Sequence, residues 1–148
     1  MTALDNSLIN THVYDSALLL SDAAAVTTSG PAEVAAAAKI LDIGDAYVSG
    51  IVVIDVSVLD FTTADETYTI EVQFSNSATF ADTTIAKGHV RLGDAVNGSH
   101  DQSTVGKYVV PFDNRGPDET NYRYMRLYDI VAGTTPILNH FSYAAKQS

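Results

Sequence analysis

The sequence predicts an all-β protein, an antiparallel β-sandwich of the jelly-roll type with about eight short strands. Apolar and polar residues alternate along several stretches, which is the period of a half-buried strand. These stretches are rich in Val, Ile, Thr and Tyr, and turn-forming Gly, Asn and Pro residues separate them. A parallel α/β sheet would need a helix between successive strands, where this sequence has short turns instead.

The clearest strand is Thr67–Phe74, where Tyr68, Ile70, Val72 and Phe74 fall on one face and polar residues fall on the other. This pattern predicts a strand with one buried and one solvated face. The remaining predicted strands are shorter or less regular. They are His12–Leu20, Lys39–Ile43, Ile51–Leu59, His89–Leu92, Lys107–Phe112, Tyr122–Val131 and Ile137–Tyr143.

In two of these strands the sequence also predicts which side chains face the core. In Ile51–Leu59 we expect Val52, Ile54, Val56 and Val58 to face the core. In the strand that begins at Tyr122, large side chains occur on both faces, so we expect one face in the core and the other against a specific contact. The first face carries Met125, Leu127 and Val131, and the second carries Tyr124, Arg126 and Tyr128.

A chain of 148 residues with 46% apolar residues is typical of one domain with its own core. We expect a single jelly-roll domain over residues 14–148, preceded by an N-terminal arm or edge strand over residues 1–13. Pro31 and Glu33 favour a short helical turn near residues 31–38. An alanine-rich linker without regular structure fits that segment equally well.

The composition excludes several classes of function. The absence of cysteine excludes a disulfide framework, a thiolate zinc site and a cysteine nucleophile. A net charge of -10 argues against nucleic acid and anionic membranes as partners, because both bind clusters of Lys and Arg. The first ten residues include Asp5 and no base, and no apolar run reaches the length of a membrane span, so we expect neither a secretory leader nor a membrane anchor.

No recognisable catalytic or cofactor motif occurs. His12, His89, His100 and His140 lack the close spacing of a metal site, and the acidic loops lack the calcium-loop pattern. The nucleophile motif GxSxG and the glycine-rich nucleotide motifs are missing. We therefore expect no enzyme activity, no metal and no cofactor.

The most distinctive segment is a cluster of tyrosines and arginines near the C-terminus. Tyr and Arg are enriched at protein interfaces because each buries a large area and keeps a polar group. Ordinary cross-strand pairing is the plainer interpretation of any one of them. The predicted interface comprises Tyr122, Arg123, Tyr124, Arg126 and Tyr128, together with Leu4, Leu8 and Ile9 of the N-terminal arm.

Charge is distributed unevenly along the chain. Residues 1–86 carry one base and twelve acids, whereas residues 87–148 carry seven bases and six acids. We expect Arg123 and Arg126 to lie at a subunit contact and the acids of residues 1–86 mostly to face solvent, where they would repel other acidic surfaces.

Four stretches, taken in order, resemble the small capsid cement (decoration) proteins of tailed phages, of the kind in Bordetella-type short-tailed phages. They are Tyr14–Ala23, Ile40–Gly44, Tyr68–Ser75 with Ser77, Ala78 and Phe80, and Tyr122–Tyr128 leading into Val131–Thr134. The last is the most specific. The resemblance covers nearly all of the chain from Tyr14 onward, although the segment Ala32–Ala38 is longer than the family leads us to expect.

The resemblance implies a jelly roll that binds the outer surface of an icosahedral capsid, stabilises contacts between major capsid protein subunits and has no enzymatic role. It implies a virion protein made in the host cytoplasm, with the major capsid protein and copies of itself as partners, a dimer being favoured over a trimer. The alternative is a carbohydrate-binding or host-attachment jelly roll, in which Tyr122, Tyr124 or Tyr128 would stack on sugar rings.

Overall fold

Short antiparallel strands make up most of the part of the chain that the computed structural model describes, residues 15–93 and 104–146. A 3-10 turn, Ser16–Leu18, precedes the first strand, and the Asp15 side chain caps it by accepting from the Ala17 N–H. The strands are β1 (Leu19–Asp22), β2 (Gly30–Pro31), β3 (Glu33–Val34), β4 (Ala37–Ala38), β5 (Leu41–Asp42), β6 (Ser49–Leu59), β7 (Thr67–Ser75), β8 (Thr84–Gly93), β9 (Gly106–Asp113), β10 (Tyr124–Ala132) and β11 (Leu138–Lys146).

Two sheets carry the fold. Sheet A has the order β1-β11-β6-β9, and sheet B has the order β2-β10-β7-β8 with β5 also paired to β10. If β2 and β5 are counted as two pieces of one strand and the small β3–β4 hairpin is set aside, eight strands remain. Their orders are then 1-8-3-6 and 2-7-4-5, which is the arrangement of a jelly roll. The predicted fold class is confirmed.

The core lies between the inner faces of the two sheets. Tyr68, Ile70, Val72 and Phe74 of β7 are all 0% exposed, as their alternation predicted. From sheet A, the inner residues include Leu20, Val52, Ile54 and Val56. Full burial of each large apolar side chain contributes about 1.5–3 kcal/mol relative to exposure. This packing holds the sheets together and leaves their outer faces available for contacts.

Some strand boundaries differ from the prediction. The strand predicted over His12–Leu20 begins only at Leu19, because Ser16–Leu18 forms the capped 3-10 turn, and residues 12–14 lie outside the described part. Strand β8 begins at Thr84, five residues before the predicted start at His89. The register between β8 and β7 shifts next to Val72, and this bulge interrupts the alternation of apolar residues along β8. The first half of the strand therefore does not show the alternating pattern in the sequence.

Val58 faces solvent, against the prediction that it lies in the core. The register between β6 and β11 shifts so that Val56 pairs with His140 and Val58 pairs with the adjacent Asn139. Ser57 is the extra residue of this bulge, and it turns Val58 to the outer face, where it is 42% exposed. The other three predicted core residues of this strand, Val52, Ile54 and Val56, are at most 1% exposed.

The helical turn predicted near residues 31–38 is wrong, and the segment is also not an irregular linker. Glu33–Val34 and Ala37–Ala38 form a two-stranded hairpin whose loop residues, Ala35 and Ala36, have φ of 54° and 62°. A helix is excluded because Ala32 is already held in an extended pairing. Its N–H donates to the Leu127 carbonyl and its own carbonyl accepts from the Lys39 N–H.

A polar array crosses the core between the sheets. His140 Nε2 of sheet A lies 3.0 Å from Asp129 Oδ1 of sheet B, and His140 Nδ1 lies 2.6 Å from Ser142 Oγ. All three residues are 0% exposed. Ser21, on the neighbouring strand, donates through its hydroxyl to the His140 carbonyl. Asp129 Oδ2 has no hydrogen-bond partner in the described part of the chain, so the contact of Oδ1 with His140 is the one that offsets the burial of this carboxylate. Buried polar groups are costly without partners, so this array constrains how the sheets align.

Replacing His140 with Ala should lower the free energy of unfolding by about 3 kcal/mol, because Asp129 would keep its burial and lose its partner. Urea unfolding of the full chain measures the change. The control is His89→Ala on the exposed part of β8, which should change stability by less than about 0.5 kcal/mol. Equal effects of the two substitutions would contradict the role given to the buried array.

Replacing Ala35 with Asn and Ala36 with Gly should raise the free energy of unfolding by about 1 kcal/mol. Both loop residues have left-handed φ values that alanine adopts at a cost, and Asn-Gly is the favoured pair for this hairpin turn. Thermal unfolding gives the measurement. Ala37→Gly, in the adjacent strand, is the control and should destabilise instead.

Candidate functional site

Strand β10 presents the predicted interface residues on the outer face of sheet B. Met125 and Leu127 are 0% exposed in the core, whereas Tyr124, Arg126 and Tyr128 alternate with them and point outward. The predicted division of this strand into two faces is therefore confirmed. What the outer face contacts in an assembly stays a prediction.

Tyr122 does not belong to that outer face, so its assignment as an interface residue needs correction. It is 8% exposed and is part of the hydrophobic core, and its N–H donates to the Asn114 carbonyl at 2.7 Å. Its ring lies so close to Gly116 that a Cβ there would be 2.5 Å from the ring. Tyr122 precedes the start of β10, where the alternation used for prediction does not apply.

Arg123 is committed to a contact within the chain. Its Nε and Nη2 each donate at 2.9 Å to one oxygen of Asp42, and its Nη1 lies 3.7 Å from Asp45. The bidentate bonds from Arg123, with a further one from the Gly44 N–H, lower the pKa of Asp42. This pair joins Asp42, the last residue of β5, to the residue just before β10, and it leaves Arg123 little capacity to bind a partner.

Arg126 lies among aromatic rings. Its guanidinium carbon is 4.1 Å from the centre of the Phe80 ring and 5.0 Å from that of Tyr128. Its Nε donates to Gln73 Oε1 at 2.9 Å. Desolvation lowers the pKa of Arg126, and the nearby Tyr128 offsets only part of this effect. Within residues 15–93 and 104–146, no carboxylate lies within 4.0 Å of it.

The rings of Tyr124 and Tyr128 each lie under a guanidinium, that of Arg123 at 5.5 Å and that of Arg126 at 5.0 Å. Stacking on a sugar requires an open ring face, and each of these contacts occupies one of the two faces of its ring. The remaining predicted contact residues, Leu4, Leu8 and Ile9, lie outside the described part of the chain and stay a prediction.

The outer face of sheet A is an apolar surface that the sequence reasoning missed. One row of register partners runs across all four strands, from Leu19 through Tyr143 and Val53 to Val109. The next row contains Ala145, Ile51 and Pro111. The signal in the sequence was the unbroken run Ile51–Ile54, in which both faces of the strand are apolar, as is typical of a strand covered on both sides.

Several residues of this outer face are well exposed. Val109 is 54% exposed, Val58 is 42% exposed, and Val105, just before β9, is 57% exposed. Two residues of opposite charge on this face lie beside each other, because Asp55 and Lys107 are register partners on β6 and β9. Val53 and Ala145 in the same rows are only 4% and 7% exposed, so the exposed apolar area is contributed by their neighbours. Exposed apolar side chains grouped on a protein surface indicate a contact site. We call this set of residues on the outer side of sheet A the apolar face.

Acids near residue 65 have structural roles in loops. Asp65 accepts from the Thr134 N–H at 3.0 Å and from the Thr134 hydroxyl at 2.9 Å, and these bonds lower its pKa. Glu66 is 0% exposed, an exception to the expectation that the acids of residues 1–86 face solvent. Its desolvation opposes ionisation, but donation from the Thr63 hydroxyl and N–H outweighs it and lowers the pKa of Glu66.

The Asp129–His140–Ser142 array has the residue types of a hydrolase triad without the access that catalysis needs. Ser142 is 0% exposed, so no substrate carbonyl can approach its hydroxyl. A cleft of about 320 Å³ lies nearby, lined by residues of the segment 21–33, with Glu33 as its one charged lining residue. Across the described residues, no group of three or more potential ligands is placed to hold a metal ion.

The chain matches no protein family, no curated protein and no solved structure in the comparisons made with each. In residues 15–93 and 104–146, no helix is long and apolar enough to cross a membrane.

Replacing Arg123 with Gln should raise the pKa of Asp42, because the largest stabilisation of its ionised form is removed. A lowered folded-state pKa contributes stability above the unfolded pKa, and that stability is lost as the pH falls through the folded value. The variant should therefore lose less stability on acidification than the unmodified chain. Carboxyl-carbon NMR titration measures the pKa of Asp42. The control is Arg126→Gln, which leaves the hydrogen bonds of Asp42 intact and should not shift its pKa.

Proposed function

We propose that this protein is a non-enzymatic component of a phage virion, a cement protein that binds the outside of the icosahedral capsid. There it would strengthen contacts between neighbouring major capsid protein subunits. The observation that carries this proposal is the apolar face, where a row of apolar register partners crosses four strands and ends at Val109, which is 54% exposed. The kind of partner comes from the resemblance of the Tyr122–Tyr128 and Val131–Thr134 segments to cement proteins.

Charge supports the choice of this face. The chain has a net charge of -10, so most approaches to another acidic protein bring like charges together. On the apolar face the register partners Asp55 and Lys107 offset one another. A partner can therefore cover this face without burying an acid that lacks a neighbouring base, and the valines that the contact buries supply the favourable free energy.

The size of the face bears on how the contact is completed. Four strands about 4.8 Å apart, over some seven residues at about 3.3 Å each, give roughly 400 Å². A stable interface takes about 800 Å² from each partner. The rest of the contact is proposed to come from the N-terminal arm with Leu4, Leu8 and Ile9 and from self-association. Modest affinity per copy is sufficient, because stabilisation accumulates over many equivalent sites on one capsid.

Replacing Val109 with Glu should weaken binding to the capsid by about tenfold or more, because the contact would bury an unpaired carboxylate. Co-sedimentation with phage particles stripped of this protein measures the affinity, and the heat resistance of the reconstituted particles gives an independent readout. Thr28→Glu introduces the same charge at an exposed loop residue of similar shape and is the matched control.

Equal capsid binding by the two variants would show that the contact does not include the apolar face. If neither the unmodified chain nor its variants binds the particles, the proposed function fails. A glycan array run with the same samples then tests the carbohydrate alternative, whose signature would be a hit that Tyr124→Ala or Tyr128→Ala removes.

A further inference from the structure

Arg126 is a half-buried cation in a strongly acidic protein. The chain has 18 acids and 8 Lys and Arg residues, yet no carboxylate of the described residues lies within 4.0 Å of the Arg126 guanidinium. Three residues earlier, Arg123 holds Asp42 through two hydrogen bonds. A partly desolvated charge without a counter-ion is costly, and an anion supplied by a partner would offset that cost in an assembly.

The surroundings of Arg126 hold its guanidinium in place and keep acids away from it. Gln73, its register partner on β7, accepts from Arg126 Nε through Oε1 and donates through Nε2 to Glu71 Oε2 at 3.3 Å. The neutral amide is thus hydrogen-bonded both to the cation and to Glu71. Only Nε of Arg126 is engaged, and in the described part of the chain Nη1 and Nη2 have no hydrogen-bond acceptor.

Phe80 contributes to this arrangement from a conformation that is costly for its own backbone. Its φ is 56°, in the left-handed region that bulky residues rarely occupy, and its N–H donates to the Ser77 carbonyl at 3.0 Å. This turn brings the Phe80 ring to 4.1 Å from the Arg126 guanidinium carbon. Strain of this kind persists where the local structure serves a contact or a site.

We propose that Arg126 is a binding site for one carboxylate group of a partner protein, an Asp or Glu side chain whose two oxygens accept from Nη1 and Nη2. A planar guanidinium fork matches a planar carboxylate, and the rings of Phe80 and Tyr128 reduce the freedom that binding would otherwise remove. A polyphosphate chain is disfavoured because the rest of the molecule is strongly acidic. The carboxylate site itself is argued from the geometry around Arg126. That the carboxylate belongs to a partner protein rests on the proposed function.

The test is a titration of the ¹⁵N-labelled full chain with sodium acetate, followed through the Arg126 Nε–H signal and the Gln73 side-chain amide. Both signals should shift towards a plateau with acetate and stay in place with sodium chloride at the same ionic strength. The Arg123 Nε–H signal should not respond, because Asp42 already occupies that guanidinium. No acetate response at Arg126, or a larger response to inorganic phosphate, would overturn the assignment.

Two variants sharpen the result. Arg126→Lys keeps the charge and removes the fork, so the Gln73 amide should lose its plateau, whereas Arg123→Lys should leave that plateau unchanged. A plateau retained in Arg126→Lys would overturn the role of Arg126. Backbone amide spectra show whether each variant folds. If a variant does not fold, the acetate titration of the unmodified chain still tests the proposal. Acetate binding at Arg126 without binding to the capsid would support the carboxylate site and contradict the proposed capsid function. Binding to the capsid without acetate binding would support the capsid function and contradict the carboxylate site.

Discussion

The contact between Asp129 and His140 sets the orientation of both sheets of this protein. It joins β10 of sheet B to β11 of sheet A across the core, with both side chains fully buried. Since side chains alternate along a strand, Asp129 pointing inward requires Tyr128 and Arg126 to point outward. In the same way, His140 pointing inward places the outward residues of β11 on the apolar face. The buried pair is therefore compatible with only one assignment of inner and outer faces, because a shift of one residue would bury a cation or expose the core.

The two outer faces differ in chemistry. The outer face of sheet A is mainly aliphatic, with Val58 and Val109 among its exposed residues. The outer face of sheet B carries a guanidinium held among aromatic rings and tied to Gln73. An apolar area supplies favourable free energy without much direction, whereas a fixed cation supplies specificity. The proposed cement role uses both properties, because a protein that joins capsid subunits must bind them and also choose where to bind.

Arg123 and Arg126 show how far equal residue types can differ after folding. They are three residues apart, and the sequence supports the same prediction for both. Folding brings Asp42 of β5 beside Arg123, since β5 pairs with the beginning of β10. It brings Gln73 beside Arg126, since β7 pairs along the whole of β10. One arginine becomes a tie within the chain and the other keeps free donors, and no local pattern distinguishes them.

The sequence by itself determined the fold class and the inner faces of the long strands. Alternation of side chains is a local property, so the buried residues of β7 and the two faces of β10 follow from it without knowledge of the partner strands. Tertiary structure decided the rest. The hairpin at residues 33–38 exists because Ala32 is held between Leu127 and Lys39, whereas local propensity alone favoured a helical turn. The apolar face and the partners of each arginine depend on register between strands far apart in the chain, which local sequence does not encode.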